Sequence, residues 1–317
     1  MLKTIGIDIG GTKIAGVLMD ANDQVLREAK VPTPAQDGQA IIEAVTAMIE
    51  ELKAGHEITA AGVAAAGFID AAQSEVRYAP NLNWRNEPLK AKLEAALGFP
   101  VFIENDANAA GWAEYRFGAG RKSKNMVMLT IGTGVGGAIV VDGKMFRGGF
   151  GIGAELGHIR LIPDGIMCGC GQRGCLEQYG SGTALLNRAK ELISSGSAVN
   201  SLLGQKVTTA DELTGSHVFE ALQANDELAL GLLNELGSYL GQAIATLTAV
   251  LDPEVVVIGG GVSILGEKLL APIRDAYLEH LPARGFRPEL SLVSAELVND
   301  AGAIGAADLA REHSAAR

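Results

Sequence analysis

The chain has 317 residues, a length that favours about two domains. Hydrophobic residues make up 48% and charged residues 20%, so the chain can bury a substantial core and is not expected to be disordered. Lys and Arg number 26 against 37 Asp and Glu, and the resulting net charge of -11 argues against a dedicated nucleic-acid or anionic-membrane binder.

The first residues, MLKTIGIDIGG, lack the basic segment and the unbroken apolar run of a secretory signal. The longest uncharged run, Met126 to Val141, is interrupted by glycines and is too short for a membrane helix. All three cysteines fall within eight residues, which suits reduced thiols better than a disulfide framework. We therefore expect a cytoplasmic protein with no membrane and no nucleic-acid partner.

The predicted elements of the first part alternate between strands and helices. Ile5 to Ile9, Ile14 to Met19 and Val25 to Val31 are predicted as three strands, with turns at glycine and aspartate residues between them. The elements expected next are a helix over Ile41 to Leu52, a strand over Gly62 to Ala66, a helix over Pro88 to Leu97 and a strand over Val101 to Ile103.

The opening pattern then recurs. Val127 to Ile131 leads into a glycine turn and out through Ala138 to Val141. A long helix is predicted over Glu227 to Val250, and the strand Val255 to Ile258 leads to three glycines that are expected to open another helix. This duplication predicts two related α/β lobes that face a cleft, with a boundary near residues 107–120.

Glycine is over-represented: it makes up 41 of the 317 residues, or 13%, against an average of ~7% in proteins. Converging backbone N–H groups in glycine turns can cradle phosphate, although each turn alone can equally be an ordinary hairpin. Recurrence at three strand ends favours phosphate cradles, and none of them matches a Walker loop or a dinucleotide fingerprint. Asp8, at the end of the first strand, could hold Mg²⁺ directly or through water. The turn residues are Gly10, Gly11, Thr12 and Lys13, then Thr133 and Gly134 within GTGVGG, and finally Gly259, Gly260 and Gly261.

The cysteines predict a zinc site. His158, Cys168, Cys170 and Cys175 supply one imidazole and three sulfurs within a short glycine-rich segment. Four such ligands suit a closed tetrahedral Zn²⁺ site, which is structural and activates no water.

Two acids flank the predicted zinc loop. Glu155 lies shortly before His158, and Glu177 lies shortly after Cys175. A loop fixed by the metal would hold both carboxylates rigidly, which suits hydrogen bonding to sugar hydroxyls, but both can also be solvated charges.

Asp106 is the candidate general base. Phosphoryl transfer to an alcohol needs a phosphate cradle, Mg²⁺ and a carboxylate that accepts the hydroxyl proton. Asp106 lies between Asn105 and Asn108 at a strand end, where open α/β sheets bind ligands. An aspartate here can also be the N-cap of a helix beginning near Ala107, and both roles are compatible.

Together these motifs resemble those of the ROK family of sugar kinases, and among them the bacterial glucokinases. The motifs are IGIDIGGTK, ENDANAA, LTIGTGVGGAIV, GAELGH, CGCGQRGCLE and VVIGGGVS, which extend from Ile5 to Ser263. The pairing of ELGH with the cysteine motif is the specific part, because the glycine turns are shared with the wider hexokinase and actin superfamily. The resemblance implies an α/β, two-lobed actin-like ATPase (ribonuclease H-like) fold with a duplicated βββαβαβα core.

The resemblance also implies domains and roles. Residues 1–112 plus 300–317 would form a small lobe to which the last helix returns, and residues 113–299 a large lobe with the zinc loop. Asp106 would deprotonate the sugar 6-hydroxyl, and His158 would serve both zinc and sugar. The residues implied to contact the sugar are Gly67, Asn105, Asp106, Glu155, His158 and Glu177. Those implied to hold the nucleotide are Gly10 to Lys13, Thr133, Gly134 and Gly259 to Gly261.

The implied activity is transfer of the ATP γ-phosphoryl group, with Mg²⁺, to glucose. Mannose, N-acetylglucosamine and N-acetylmannosamine are alternative acceptors, and polyphosphate is an alternative donor. The family also contains transcriptional repressors and sugar sensors, whose helix-turn-helix domain precedes the first glycine motif. Here that motif starts at residue 5, and with the acidic charge and Asp106 this favours an enzyme. A homodimer or homotetramer is implied.

Overall fold

The computed structural model describes residues 3–34, 37–297 and 300–315. Several positions named above therefore lie outside the described residues: residues 1 and 2, residue 299, which is the predicted end of the large lobe, and the last residue, 317. The first half contains β1 (Thr4–Ile9), β2 (Lys13–Met19), β3 (Val25–Pro32), α1 (Gly38–Lys53), β4 (Ala60–Ala65), β5 (Phe68–Ile69), β6 (Val76–Ala79), β7 (Trp84–Glu87), α2 (Leu89–Leu97), β8 (Val101–Asn105) and α3 (Asp106–Arg116).

The second half repeats this arrangement with a longer insertion. Its elements are β9 (Met126–Ile131), β10 (Val135–Val141), β11 (Lys144–Met145), α4 (Glu177–Gly180), α5 (Gly182–Ser194), α6 (Leu202–Lys206), α7 (Gly215–Gln223), α8 (Glu227–Leu251), β12 (Val255–Gly259), α9 (Glu267–His280), β13 (Ser291–Ser294) and α10 (Ala301–Ala315).

Two five-stranded sheets have matching strand orders, β3-β2-β1-β4-β8 and β11-β10-β9-β12-β13. Without the small β5-β6-β7 sheet and helices α4 to α7, each half reads βββαβαβα, so the predicted duplicated α/β core is confirmed. The predicted strands and the two predicted helices of the first part agree with β1 to β4, α1, α2 and β8; the largest difference is at the start of α1, which begins at Gly38 and not at Ile41.

The first sheet brings three chain segments to one edge. Strand β1 is parallel to β4, which is parallel to β8, so their carboxyl ends lie side by side. In this register Asp8 is paired with Ala64, which is in turn paired with Glu104. Residues that follow these strands therefore gather where ligands bind in open α/β sheets.

Helix α10 packs directly on the first sheet through glycine. A Cβ atom at Gly6 of β1 would lie 1.9 Å from the carbonyl oxygen of Ala303, and one at Gly62 of β4 would lie 1.9 Å from that of Ala306. The backbone of α10 thus touches the strands themselves, so the carboxyl-terminal helix packs on the amino-terminal sheet.

Two local predictions are wrong. Asn105, not Asp106, is the N-cap of α3, because its side chain accepts a hydrogen bond from the backbone N–H of Asn108. The three glycines after β12 open a 3₁₀ turn over Gly261–Leu265, and the α-helix begins only at Glu267.

Internal contacts divide the chain into two compact units. One comprises Met1–Val127, Gly137–Ala154 and Glu296–Arg317, and the other Met128–Gly136 and Glu155–Ala295. The lobe boundaries inferred from the sequence, 1–112 with 300–317 and 113–299, stay a prediction. Within the described ranges, the helices lack the combination of length and apolar character that crossing a bilayer requires.

Candidate functional site

Asp8 and Asp106 form a pair of interacting carboxyl groups at the edge of the first sheet. Burial and, to a lesser extent, the charge of Asp106 raise the pKa of Asp8 to about 7, although the charge of Lys13 lowers it in part. Burial also raises the pKa of Asp106, although hydrogen bonds with the backbone N–H groups of Ala107 and Asp106 itself lower it in part. Two carboxyl groups in this environment favour a proton or a cation between them.

Asn105 connects the strand end to the neighbouring loop. Its Nδ2 donates to the carbonyl oxygen of Gly67 at 3.1 Å, while its Oδ1 accepts from the backbone of Asn108 at 3.0 Å. Gly67 has a φ of +152°, and a Cβ there would lie 2.6 Å from the carbonyl oxygen of Tyr78. The structure therefore brings Gly67, Asn105 and Asp106 together, and the loop position requires glycine.

The first glycine turn is held at its base and open at its tip. The N–H of Gly10 donates to the carbonyl of Lys13 at 3.0 Å, and the hydroxyl of Thr33 donates to the carbonyl of Gly10 at 2.7 Å. Gly11 and Thr12 are exposed, and a Cβ at Gly11 would meet no atom within 4 Å. A ligand can thus approach this backbone closely. No sequence motif indicates this role for Thr33, which is distant from Gly10 in the chain.

The second and third turns lie together in the other unit. The N–H of Gly132 donates to the carbonyl of Gly134 at 3.0 Å. A Cβ at Gly260 would lie 2.5 Å from the carbonyl oxygen of Ile131, the residue before the second turn. Glu177 accepts a hydrogen bond from the N–H of Val135 at 3.1 Å, so this carboxylate closes the second turn.

The predicted zinc ligands form one cluster. One ligand atom from each of His158, Cys168, Cys170 and Cys175 lies within 4.8 Å of the others. His158 Nδ1 is 3.7 Å from Cys168 Sγ, and the Sγ atoms of Cys170 and Cys175 are 3.6 Å apart. A tetrahedral zinc ion with Zn–S bonds of about 2.3 Å separates its sulfurs by about 3.8 Å, so the donor set fits zinc in chemistry and in size.

Tight turns create this cluster. Cys168 and Gln172 close a turn through an N–H to carbonyl bond of 2.8 Å. A Cβ at Gly174, whose φ is +77°, would lie 1.6 Å from the carbonyl oxygen of Ile162. Only a residue without a side chain lets these two segments touch, and this contact brings Cys175 back toward Cys168.

The two acids of the zinc loop contact it in different ways. Glu155 accepts the N–H of His158 at its backbone carbonyl, 3.0 Å away, while the Glu177 carboxylate lies 3.9 Å from Cys168 Sγ. Because Nδ1 of His158 faces the sulfurs, its Nε2 is left to point away from the cluster. Glu177 thus contacts both the zinc cluster and the second glycine turn.

The chain matches the model of the ROK family over residues 4–313. It is 45% identical to a glucokinase of Streptomyces coelicolor over 98% of both chains. It also resembles the crystal structure of a ROK family glucokinase from Streptomyces griseus in complex with glucose and AMPPNP, with a TM-score of 0.87 and 44% identity, covering 98% of this chain and 99% of that one. A ROK hexokinase from Thermus thermophilus gives a TM-score of 0.83 at 35% identity over 100% of both chains. The expected actin-like ATPase fold is confirmed by this likeness.

Removal of one cysteine tests the zinc site. The wild-type protein is expected to contain about one zinc ion per chain, and Cys170→Ala should lose most of it because three ligands leave the tetrahedron incomplete. Elemental analysis after dialysis measures this. His280→Ala, which removes an exposed imidazole at the end of α9, should retain its zinc. Wild-type protein without zinc, or a Cys170→Ala variant with undiminished zinc, would contradict the assignment.

Asp8→Asn tests the raised pKa. Between the ordinary value of 3.8 and about 7, the folded protein keeps a proton on Asp8 that the unfolded chain releases. The contribution of Asp8 to the free energy of unfolding therefore falls as pH rises through this window and stays low above it. The variant should exceed wild type in stability by roughly 2–4 kcal/mol near about pH 8, and by much less near about pH 4.5.

Urea unfolding at both pH values measures this difference. Asp37→Asn serves as the control, because asparagine can replace aspartate as the N-cap of α1 and no pH-dependent gain is expected. A gain for Asp8→Asn that is equal at both pH values would disprove the raised pKa.

Proposed function

Because the chain belongs to the ROK family, we propose that it is a glucokinase, which transfers the γ-phosphoryl group of ATP to the 6-hydroxyl of glucose. The observation that carries this proposal is Asp106, a carboxylate at the carboxyl end of β8, beside Asp8 and the Asn105–Gly67 contact. The Streptomyces griseus glucokinase, which is 44% identical and matched over 99% of its chain, forms a complex with glucose and AMPPNP.

Asp106 is the proposed general base. Its raised pKa makes the carboxylate a stronger proton acceptor than an exposed aspartate, which helps it to take the proton of the attacking hydroxyl. Its place in the first turn of α3, with the helix dipole directed at it, favours the ionised form that this role needs.

Two groups of residues are proposed to contact the sugar. Asn105 and the backbone at Gly67 would contact hydroxyls beside Asp106, and Glu155, His158 and Glu177 would contact others. The donor set of the zinc cluster supports this, because a metal held by His158 Nδ1 leaves Nε2 free to bond the sugar. Zinc would supply rigidity there and no chemistry, since four protein ligands close its coordination shell.

The glycine turns are proposed to hold the nucleotide. Within Gly10 to Lys13, the exposed backbone at Gly11 and Thr12 and the ammonium group of Lys13 would contact the phosphates, while the N–H of Gly10 closes the turn. Thr133, Gly134 and Gly259 to Gly261 would bind the rest of ATP. Asp8 fits Mg²⁺, because its carboxyl oxygens are hard ligands and a second carboxyl group, that of Asp106, interacts with it. When bound, Mg²⁺ would neutralise charge on the phosphate oxygens.

The clustered cysteines also bear on the cellular location. Three thiols clustered at a metal site suit a reducing compartment, which favours the cytoplasm. The homodimer or homotetramer that the family resemblance implies stays a prediction.

A coupled assay with purified protein tests the function. We expect ATP- and Mg²⁺-dependent formation of glucose 6-phosphate, with a higher kcat/KM for glucose than for mannose, N-acetylglucosamine or N-acetylmannosamine. Polyphosphate is tested as donor in parallel. No turnover of glucose by zinc-loaded protein would refute the proposal, and a higher kcat/KM for another sugar would reassign the substrate.

Asp106→Asn tests the base. Loss of a general base typically lowers kcat by ~10²–10⁴-fold, and the variant should keep its affinity for glucose, because asparagine preserves the shape of the side chain. Steady-state kinetics give kcat, and isothermal titration gives glucose affinity. Asp37→Asn, the capping variant of α1, should match wild type. Wild-type kcat in Asp106→Asn would place the base elsewhere.

A further inference from the structure

A buried carboxylate next to the proposed site has no role in the function described so far. Glu104 precedes Asn105 in β8, and its side chain is only 6% exposed. A carboxylate that is removed from water needs hydrogen-bond donors to replace the water, and each oxygen of Glu104 accepts two hydrogen bonds. Oε1 accepts from the backbone N–H of Asn105 at 3.0 Å and from Nδ2 of Asn108 at 3.1 Å. Oε2 accepts from Nε2 of Gln73 at 3.0 Å and from Nε of Arg147 at 2.7 Å.

Arg147 anchors a glycine-rich loop. Its Nε and Nη2 both reach Oε2 of Glu104, at 2.7 and 2.6 Å. The carbonyl of the same residue accepts the N–H of Gly153 at 2.9 Å, which closes the base of the loop over residues 148–153. The pair with Glu104 thus fixes the point from which this loop leaves the sheet.

Gln73 anchors the hairpin between β5 and β6 in the same way. Its Nε2 also donates to the carbonyl of Ile103 at 3.2 Å. The Asp70 carboxylate holds the turn by accepting the backbone N–H groups of Ser74 and Glu75 at 2.8 and 2.9 Å. This hairpin follows directly from Gly67, which is bonded to Asn105.

The loop and the hairpin also touch each other. A Cβ at Gly151 would lie 2.6 Å from the backbone nitrogen of Ala71, so the two segments are in direct backbone contact. Between them lies a cavity of about 540 Å³, lined among others by Phe68, Asp70 and Phe150. Phe150, at the loop tip, is 84% exposed, which is unusual for a side chain of this size.

One carboxylate therefore joins three segments: the strand end with Asn105 and Asp106, the hairpin after Gly67, and the glycine loop. We propose that Glu104 and Arg147 are positioning residues, which hold hairpin and loop against this strand end so that the acceptor hydroxyl meets Asp106 in a reactive geometry. The inference rests on the proposed sugar kinase activity. Its physical basis is that small displacements of a bound reactant cost large factors in rate.

Arg147→Lys tests the proposal most sharply. Lysine keeps the charge but has one nitrogen where arginine uses two, so the loop base should shift while the buried charge stays compensated. We expect kcat/KM for glucose to fall by about 10-fold or more, while KM for ATP stays within about 2-fold of wild type. Glu104→Gln should act in the same direction, since a neutral amide cannot match the charge of Arg147.

The control is Arg121→Lys, the same substitution in an exposed ion pair with Glu296 in the same unit, and it should match wild type. Kinetics are measured below the melting temperature of every variant, so that loss of folded protein does not enter. Glu104→Gln leaves a buried cation without its counter-charge; if it does not fold, Arg147→Lys decides alone.

Different results would contradict the positioning role and the proposed kinase activity. Arg147→Lys with a lower melting temperature but wild-type kcat/KM for glucose would show that the pair is structural only and would overturn this inference. A KM for ATP that rises as much as the KM for glucose would also overturn it, because positioning of the acceptor predicts that ATP binding is unchanged. Absence of turnover in the wild-type protein would instead refute the proposed function.

Discussion

Direct contact between backbones is the constraint on which the proposed site depends. Helix α10 approaches β1 and β4 so closely that Gly6 and Gly62 have no room for a Cβ atom, and Gly305 of α10 approaches the carbonyl of Ala109 in α3 in the same way. The start of α10 reaches the site itself, since a Cβ at Gly302 would lie 2.6 Å from the carboxyl group of Asp8. The glycine excess of the chain is thus partly explained by packing, in addition to the phosphate turns.

This close packing has an electrostatic consequence. Covering the end of β1 with a helix removes water from Asp8, which raises its pKa to about 7, and burial raises the pKa of Asp106 as well. A buried pair of acids destabilises the fold at neutral pH, because each ionised group lacks its hydration. The same arrangement suits a kinase, because a bound Mg²⁺ ion and the proton of the attacking hydroxyl would compensate the charge of the two carboxylates. Stability is reduced where the chemistry is proposed to occur.

The sequence predicts what depends on local order and misses what depends on distant partners. Alternation of Ile5, Ile7 and Ile9 and the spacing of the cysteines are local signals, and both lead to the observed strand and metal cluster. Glu104 and Arg147 are 43 residues apart, and no periodicity connects them. Between Asn105 and Asp106 the sequence cannot choose the N-cap, because both residue types cap helices well and only the backbone direction at the end of β8 decides.

The duplicated core and its insertions are proposed to have different tasks, phosphate binding in the core and sugar recognition at the insertions. Both halves place a glycine turn after their first strand, but Asp8 in β1 corresponds to Thr130 in β9, so only the first half carries the acidic pair. Asn105 and Asp106 belong to the core, but the other residues proposed to contact sugar lie at the two insertions into the βββαβαβα pattern. Gly67 directly precedes the β5-β6-β7 sheet, and Glu155 to Glu177 form the zinc loop before α5. A core that handles phosphate can therefore stay constant while the insertions set the acceptor. On this reasoning, substitutions that change the sugar preferred should fall in the insertions, and Glu104 matters because it fixes the first of them to the core.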